Sequence, residues 1–169
     1  ILLSIDAAAS FVRVAPPSET IWRSVSGDGD FLVAVGTHTD TGKLALSYSN
    51  DGGLIWQSQG FVEEGEFRET HVLGSTAVAV GLHGILSVTK NRGQAWQTQS
   101  ISSQDLLSVW GSANRFTAVG TEGVILSSAD QGVTFVAIQN GGPDLLRVRG
   151  VGSDVVAVGD LGASYKSLD

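Results

Sequence analysis

The chain has 169 residues, of which 42% are hydrophobic, and a net charge of −7 from 10 Lys or Arg against 17 Asp or Glu. The apolar content excludes a disordered chain, and the acidic balance argues against nucleic-acid binding, which needs a basic face. Because cysteine is absent, disulfides, thiolate metal sites and thiol nucleophiles are excluded as well. The uninterrupted apolar runs are too short to span a membrane.

The N-terminal stretch predicts two short strands, at 1–5 and 11–14, rather than a targeting peptide. It lacks the basic region and the long apolar run that a signal peptide needs. The chain starts at Ile1 and contains no Met, so we expect this terminus to be a processed, trimmed or fragment end.

A repeat organises the rest of the chain. The tripeptide Ala-Val-Gly occurs four times, and its glycines are 45, 39 and 39 residues apart: Gly36, Gly81, Gly120 and Gly159. An apolar, β-branched run precedes each copy and closes on another glycine, which we align as Gly27, Gly74, Gly111 and Gly150. In that alignment Trp110 corresponds to Leu73. A further glycine and a third strand follow each Ala-Val-Gly.

The third strand of each unit leads into a turn with the pattern Ser-x-Asp-x-Gly-x-x-Trp. Asp or Asn side chains cap turn amides, glycine adopts backbone angles that other residues resist, and the aromatic residue fixes the next strand to the core. The full copies contain Ser49, Asp51, Gly53 and Trp56; Asn91, Gly93 and Trp96; and Ser128, Asp130, Gly132 and Phe135. Ser4 with Asp6, and Ser167 with Asp169, begin two further copies, so the Asp or Asn positions are 45, 40, 39 and 39 residues apart.

This turn resembles the Asp-box, or bacterial neuraminidase repeat, which also occurs in sialidases and other glycoside hydrolases, sortilin-type receptors and cellulose-binding propellers. Combined with Ala-Val-Gly and Gly-x-Ile-Leu-x-Ser, most clearly in 107–132, it looks like the propellers of the photosystem II stability and assembly factor family. The resemblance covers the whole chain. It implies a non-enzymatic scaffold that holds another protein.

The predicted fold class is all-β, a β-propeller of four-stranded antiparallel blades, because four short strands recur in each unit. We expect third- and fourth-type strands within 1–15, full blades near 21–60, 66–100 and 105–139, and a partial blade at 145–169. A closed four-bladed ring would hold one strand too many, because both ends supply a third strand. We therefore favour part of a larger propeller, with a closed four-bladed ring and closure by a second chain as alternatives.

Loops after the second and fourth strands open on one face of a propeller, and here they carry most of the acidic residues. One interpretation is a solvated surface, and the other is a docking face for a basic partner or a cation. The candidate binding residues on these loops are Glu63, Glu64, Glu66, His38, Asp40, His83, Glu122 and Asp160.

Two arginines on the last first-type strand form a second candidate. The assembly-factor resemblance implies basic residues near the propeller axis that contact the partner. Arg147 and Arg149 match this best, although only one blade carries such a pair.

No catalytic residue, metal or cofactor is predicted. The corner carboxylates lie on separate blades and cannot share an ion, and the three His lack a zinc spacing. Tyr48 and Tyr165, the two tyrosines, are expected far from the axis, where a sialidase nucleophile would not lie. We expect a non-enzymatic module whose partner is another protein, exported and bacterial. The alternative is a carbohydrate-binding or sialidase-like propeller that uses the acidic loops for a glycan.

Overall fold

The structure, a computed structural model, describes residues 1–4, 10, 12–13, 19–61 and 63–167. A short antiparallel hairpin of β1 (Leu2–Leu3) and β2 (Val12–Arg13) comes first. The predicted N-terminal strands overlap this hairpin. Asp6 and Phe11, like Asp169 at the other end, lie outside the described residues.

Four larger antiparallel sheets follow, which we call blades 1 to 4. Blade 1 consists of β3 (Thr20–Asp28), β4 (Phe31–His38), β5 (Leu44–Ser49) and β6 (Gln57–Gln59). Blade 2 consists of β7 (Phe67–Leu73), β8 (Thr76–Gly81), β9 (Ile85–Thr89) and β10 (Gln97–Ser100). Blade 3 consists of β11 (Leu106–Ser112), β12 (Arg115–Gly120), β13 (Ile125–Ser128) and β14 (Val136–Gln139). Blade 4 consists of β15 (Leu145–Val151), β16 (Asp154–Gly159) and β17 (Ser164–Lys166).

The blades are stacked side by side. Within each blade the strands are hydrogen-bonded in chain order, and the first strands of successive blades contact one another: β3 with β7, β7 with β11, and β11 with β15. First strands therefore form the inner edge and fourth strands the outer edge. This arrangement confirms the predicted all-β propeller architecture. Among the described residues, no helix has the length and apolar character needed to cross a membrane.

The second strand of each blade supplies the core, because neighbouring blades cover both of its faces. Val33 and Val35 on β4 are fully buried, and so are Val78 and Val80 on β8. Burying such side chains contributes about 1.5–3 kcal/mol each. In blade 4 the corresponding Val156 and Val158 are 39% and 45% exposed. On that side no further sheet is present among the described residues.

The glycine of Ala-Val-Gly is required by a close backbone approach. A Cβ on Gly81 would lie 2.0 Å from the carbonyl oxygen of Glu66, which immediately precedes β7. Gly120 and Gly159 approach the carbonyls of Asp105 and Asp144 in the same way. The repeated glycine thus lets the end of the second strand lie against the start of the first.

The strand register corrects one of the predicted alignments. Gly74 does not correspond to Gly111, because Val72 is the residue that occupies that position on β7. Gly74 instead lies in the two-residue turn after β7, at the left-handed position that Ala113 takes in blade 3. Similarly, the counterpart of Trp110 is His71 rather than Leu73. The sequence alone could not distinguish a turn glycine from a strand glycine two residues away.

We expect Gly81→Ala to lower the free energy of unfolding by at least about 3 kcal/mol, because the new methyl group would overlap a backbone oxygen that cannot move away freely. Urea denaturation measures this. Gly74→Ala is the matched control, because Ala113 already shows that alanine is tolerated at this turn position, and its cost should stay near about 1–2 kcal/mol. Equal costs for the two variants would contradict this explanation.

Candidate functional site

The corners after the third strands share one hydrogen-bonding plan. In blade 1, Asp51 Oδ1 accepts the hydroxyl of Ser49 at 2.7 Å and the N–H groups of Leu54 and Ile55 at 3.1 and 2.9 Å. The Ser49 hydroxyl oxygen in turn accepts the N–H of Gly53 at 2.9 Å. The carboxylate therefore ties the end of the third strand to the approach of the fourth.

Blades 2 and 3 repeat this plan with different side chains. Asn91 Oδ1 accepts the Thr89 hydroxyl and the Ala95 N–H, each at 2.9 Å. Asp130 accepts the hydroxyl and the N–H of Thr134 at 2.6 and 2.9 Å. Because an amide oxygen replaces the carboxylate in blade 2, the plan needs an acceptor rather than a negative charge.

The corner carboxylates are held in their charged form by these donors. The hydroxyl and the N–H of Thr134 hold the pKa of Asp130 well below its usual range, and the N–H of Ile55 lowers the pKa of Asp51. Each carboxylate is thus engaged within its own corner. Among the described residues, no three His, Asp or Glu side chains are grouped as a metal site would require.

The acidic loop residues lie at one end of the blades, and several are engaged within the fold. The Asp105 carboxylate accepts the N–H of His83 at 2.7 Å, and the Asp144 carboxylate accepts that of Glu122 at 2.9 Å. His83 and Glu122 have positive φ angles of 54°. The two aspartates therefore stabilise the tight turns that lead into the third strands. No sequence pattern indicated this capping role.

The remaining acidic-loop candidates are divided between contacts and solvent. Glu66 forms ion pairs with Arg23 and Arg68 at 2.9 and 2.8 Å. The His38 ring nitrogen Nδ1 lies 3.2 Å from the Thr20 hydroxyl. Four other candidates are exposed: Asp40, Glu63, Glu64 and Asp160. The acidic face is therefore partly structural and partly available to solvent.

The inner strands bring together a second group, centred on Glu69 of β7. Its side chain is 5% exposed. Arg149 Nη2 and Arg147 Nη1 donate to Glu69 Oε1 at 2.6 and 3.0 Å. The Ser108 hydroxyl and the Val109 N–H, at 2.9 Å, donate to Oε2. Blades 2, 3 and 4 therefore meet at one carboxylate.

This network leaves positive charge at the surface. The two guanidinium groups face a single carboxylate, and the side chains of Arg147 and Arg149 remain 60% and 54% exposed. Burial would raise the pKa of Glu69, but the hydrogen bonds from Arg149, Ser108 and Val109 outweigh it and lower that pKa. Glu69 therefore stays charged and orients both arginines.

Sequence reasoning identified the arginines but missed Glu69. The shifted alignment of β7 placed Glu69 outside the repeated positions. In the observed register Glu69 corresponds to Ser24, Ser108 and Arg147. The available signal was a lone acidic residue in an otherwise buried first strand, opposite a blade with two arginines.

The fold is similar to that of known propeller structures. A structure of YCF48 bound to a D1 peptide superposes with a TM-score of 0.71 and 19% identity, over 91% of this chain and 52% of that chain. YCF48 from Cyanidioschyzon merolae gives 0.68 and 17%, over 92% and 55%. A GH74 enzyme from Niastella koreensis gives 0.61 and 19%, over 86% and 22%.

These likenesses show the β-propeller fold. The chain spans about half the length of the YCF48 structures that it matches. No protein-family model matches the sequence, and the comparison with curated proteins found no match. The neighbours include both an assembly factor and polysaccharide-degrading-class GH74 structures only by fold, so activity has to be argued from the residues of this chain.

We expect Glu69→Gln to lower the free energy of unfolding by about 1–3 kcal/mol at pH 7, because two arginines and two further donors would lose a charged acceptor. The folded-state pKa of Glu69 lies below its ordinary value of 4.5. The carboxylate therefore contributes its full stability above pH 4.5, and this contribution is lost as the pH falls through the folded-state pKa.

Denaturation curves between pH 7 and pH 3 measure this dependence. Glu64→Gln, on an exposed loop, is the control and should follow the unsubstituted protein. If Glu69→Gln were as stable as the unsubstituted protein at pH 7, the proposed role of the carboxylate in the network would be wrong.

Proposed function

We propose that this chain is a non-enzymatic propeller module that binds another protein through the exposed arginines of blade 4. The observation that carries the proposal is the network around Glu69, which holds Arg147 and Arg149 in place at the inner edge while leaving both largely exposed. Fixed guanidinium groups lose little conformational freedom on binding and recognise carboxylates in a directional manner. The partner that fits is a protein segment with exposed carboxylates.

The structural neighbours support a protein partner. YCF48, whose fold this chain shares, is seen bound to a D1 peptide. The shared corner plan in blades 1 to 3 supports the assignment of these turns as Asp-boxes. We also keep the expectation that the protein is exported, which its lack of cysteine suits.

A carbohydrate-active propeller is the second candidate. The similarity to a GH74 fold and the exposed carboxylates of Asp40, Glu63, Glu64 and Asp160 favour it. On this alternative the acidic loops, at a different part of the blades from Arg147, would contact the glycan.

A peptide array and a glycan array, probed with the same purified protein, separate these functions. We expect binding to peptides rich in Asp and Glu, weakened by salt because exposed charges are screened. Arg147→Gln should weaken binding by about tenfold. The matched control is the double variant Glu63→Lys and Glu64→Lys, which should bind the same peptides at least as well.

Two results would overturn the proposal. One is glycan binding that the acidic-loop variant abolishes, with no peptide binding. The other is peptide binding that Arg147→Gln leaves unchanged while the acidic-loop variant loses it, since the docking face would then be the acidic loops.

A further inference from the structure

The corners also fill the gaps between blades. A Cβ on Gly93 would lie 2.5 Å from the ring of Tyr48 in blade 1, and Trp96 packs on the apolar cluster between blades 1 and 2. In the next gap Gly132 approaches blade 2 equally closely, and Phe135 packs on the cluster between blades 2 and 3. Each gap is therefore completed by the glycine and the aromatic residue of the later blade.

The gap between blades 3 and 4 contains a cavity instead. Its volume is about 1020 Å³. Ser127 and Thr117 of blade 3 line one wall, and Val155 and Tyr165 of blade 4 line the other. The described part of blade 4 stops at Ser167, before any corner glycine or aromatic residue.

The blade 3 wall differs in size and polarity from its counterparts. Ser127 and Thr117 occupy the positions that Val88 and Val78 occupy in blade 2. The third gap is therefore wider, and its wall offers hydroxyl groups. An aromatic residue with a polar group, Trp or Tyr, suits such a wall better than Phe does.

The cavity also presents backbone and side-chain hydrogen-bonding groups. In blades 2 and 3 a corner N–H donates to the carbonyl of the turn between the first two strands: Arg92 to Ser75 at 3.0 Å, and Gln131 to Asn114 at 2.9 Å. Ser153 is the corresponding turn residue of blade 4, and it lines the cavity. Trp110 lines it too, and its buried indole N–H has no hydrogen-bond partner among the described residues.

Beside the cavity, the outer edge of β17 pairs with no strand in the described part of the chain. In the other three blades a fourth strand occupies this edge. The register there pairs Val88 with Gln97 and Ser127 with Val136. Lys166 is the corresponding residue of β17. An extended segment could therefore add to this edge by backbone hydrogen bonds.

We propose that the cavity and the edge of β17 bind an extended segment of the protein partner, which carries Gly-x-x-Trp or Gly-x-x-Tyr followed by a short strand. The glycine and the aromatic ring fill the gap, and the strand pairs antiparallel with β17. This inference rests on the proposed protein-binding function and assigns it a second contact. Its chemistry follows from the chain's own corners, which fill the equivalent gaps.

A folded second copy of this chain is a poorer occupant. Its described corners, at Gly53, Gly93 and Gly132, are already packed within that copy. Insertion of one of them would require a blade of the second copy to open. A segment that is extended before binding has no such cost.

The probe is a fluorescein-labelled peptide with the sequence of residues 91–100, which contains one full corner from Asn91 and the strand after Trp96. We expect saturable binding by fluorescence anisotropy. The same peptide with Trp96→Ala should bind at least about tenfold more weakly, because the aromatic anchor is lost.

Two protein variants locate the site. Ser127→Tyr places a ring in the cavity, as Tyr48 does in blade 1, and should weaken peptide binding by about tenfold or more. Gln97→Tyr adds the same ring at an exposed position of the completed blade 2, and should leave binding unchanged. Circular dichroism and urea denaturation establish that both variants are folded.

Several results would overturn the proposal. These are the absence of saturable binding, equal binding of the Trp96→Ala peptide, and full binding by folded Ser127→Tyr. Self-association seen by light scattering and abolished by Ser127→Tyr would also overturn it and would make a second copy the occupant. If the probe fails while Arg147-dependent binding on the peptide array persists, only this inference fails. If both fail, the proposed function fails with it.

Discussion

Each blade of this structure depends on its neighbours, because the second strand of a blade is apolar on both faces. Val78 and Val80 become buried only when the sheets are stacked. Hydrogen bonds between first strands fix how the stack is aligned. Glu69 accepts the N–H of Val109, and Ser108 accepts the N–H of Val148, at 2.9 and 3.0 Å. Apolar burial thus supplies the driving force, while these directional contacts set the relative position of the blades. Any group that projects from a first strand inherits that position.

The same series of contacts explains why blade 4 differs from the others. At the repeated position of the first strand, Ser24, Glu69 and Ser108 provide acceptor oxygens, whereas Arg147 provides only donors. The arginine therefore cannot accept an N–H as its counterparts do. It turns instead towards Glu69 and keeps part of its guanidinium group exposed. The stacking interaction and the candidate binding surface are consequently one network, and the residue that interrupts the repeated contact is also the residue most available to a partner.

Much of the fold could be predicted because glycine and corner residues have strict physical requirements. The Ala-Val-Gly glycine cannot carry a Cβ beside a carbonyl oxygen, and the corner needs an acceptor three or four residues before the amides that it caps. Side-chain contacts between distant strands have no such local signature. Glu69 looks like an isolated polar residue in the sequence, and its 78-residue separation from Arg147 gives no indication that they meet. The misaligned Gly74 hid their equivalence further. Local rules therefore revealed the blades, but not the site that the blades assemble.

Positions that repeat and positions that vary have different physical roles here. A corner must look alike in every blade, because it both locks its own strands and fills the preceding gap. The next inward position on the first strands has no such constraint. It contains Ser26, His71, Trp110 and Arg149 in the four blades. The rings of His71 and Trp110 lie 4.5 Å apart, so this position passes from a hydroxyl through two stacked rings to a cation. A surface of such graded chemistry can distinguish partners, whereas a strictly repeated one would present each blade identically. Recognition in this chain is therefore best sought where the repeat ceases to be exact, along the inner strands and at the unfilled gap beside blade 4.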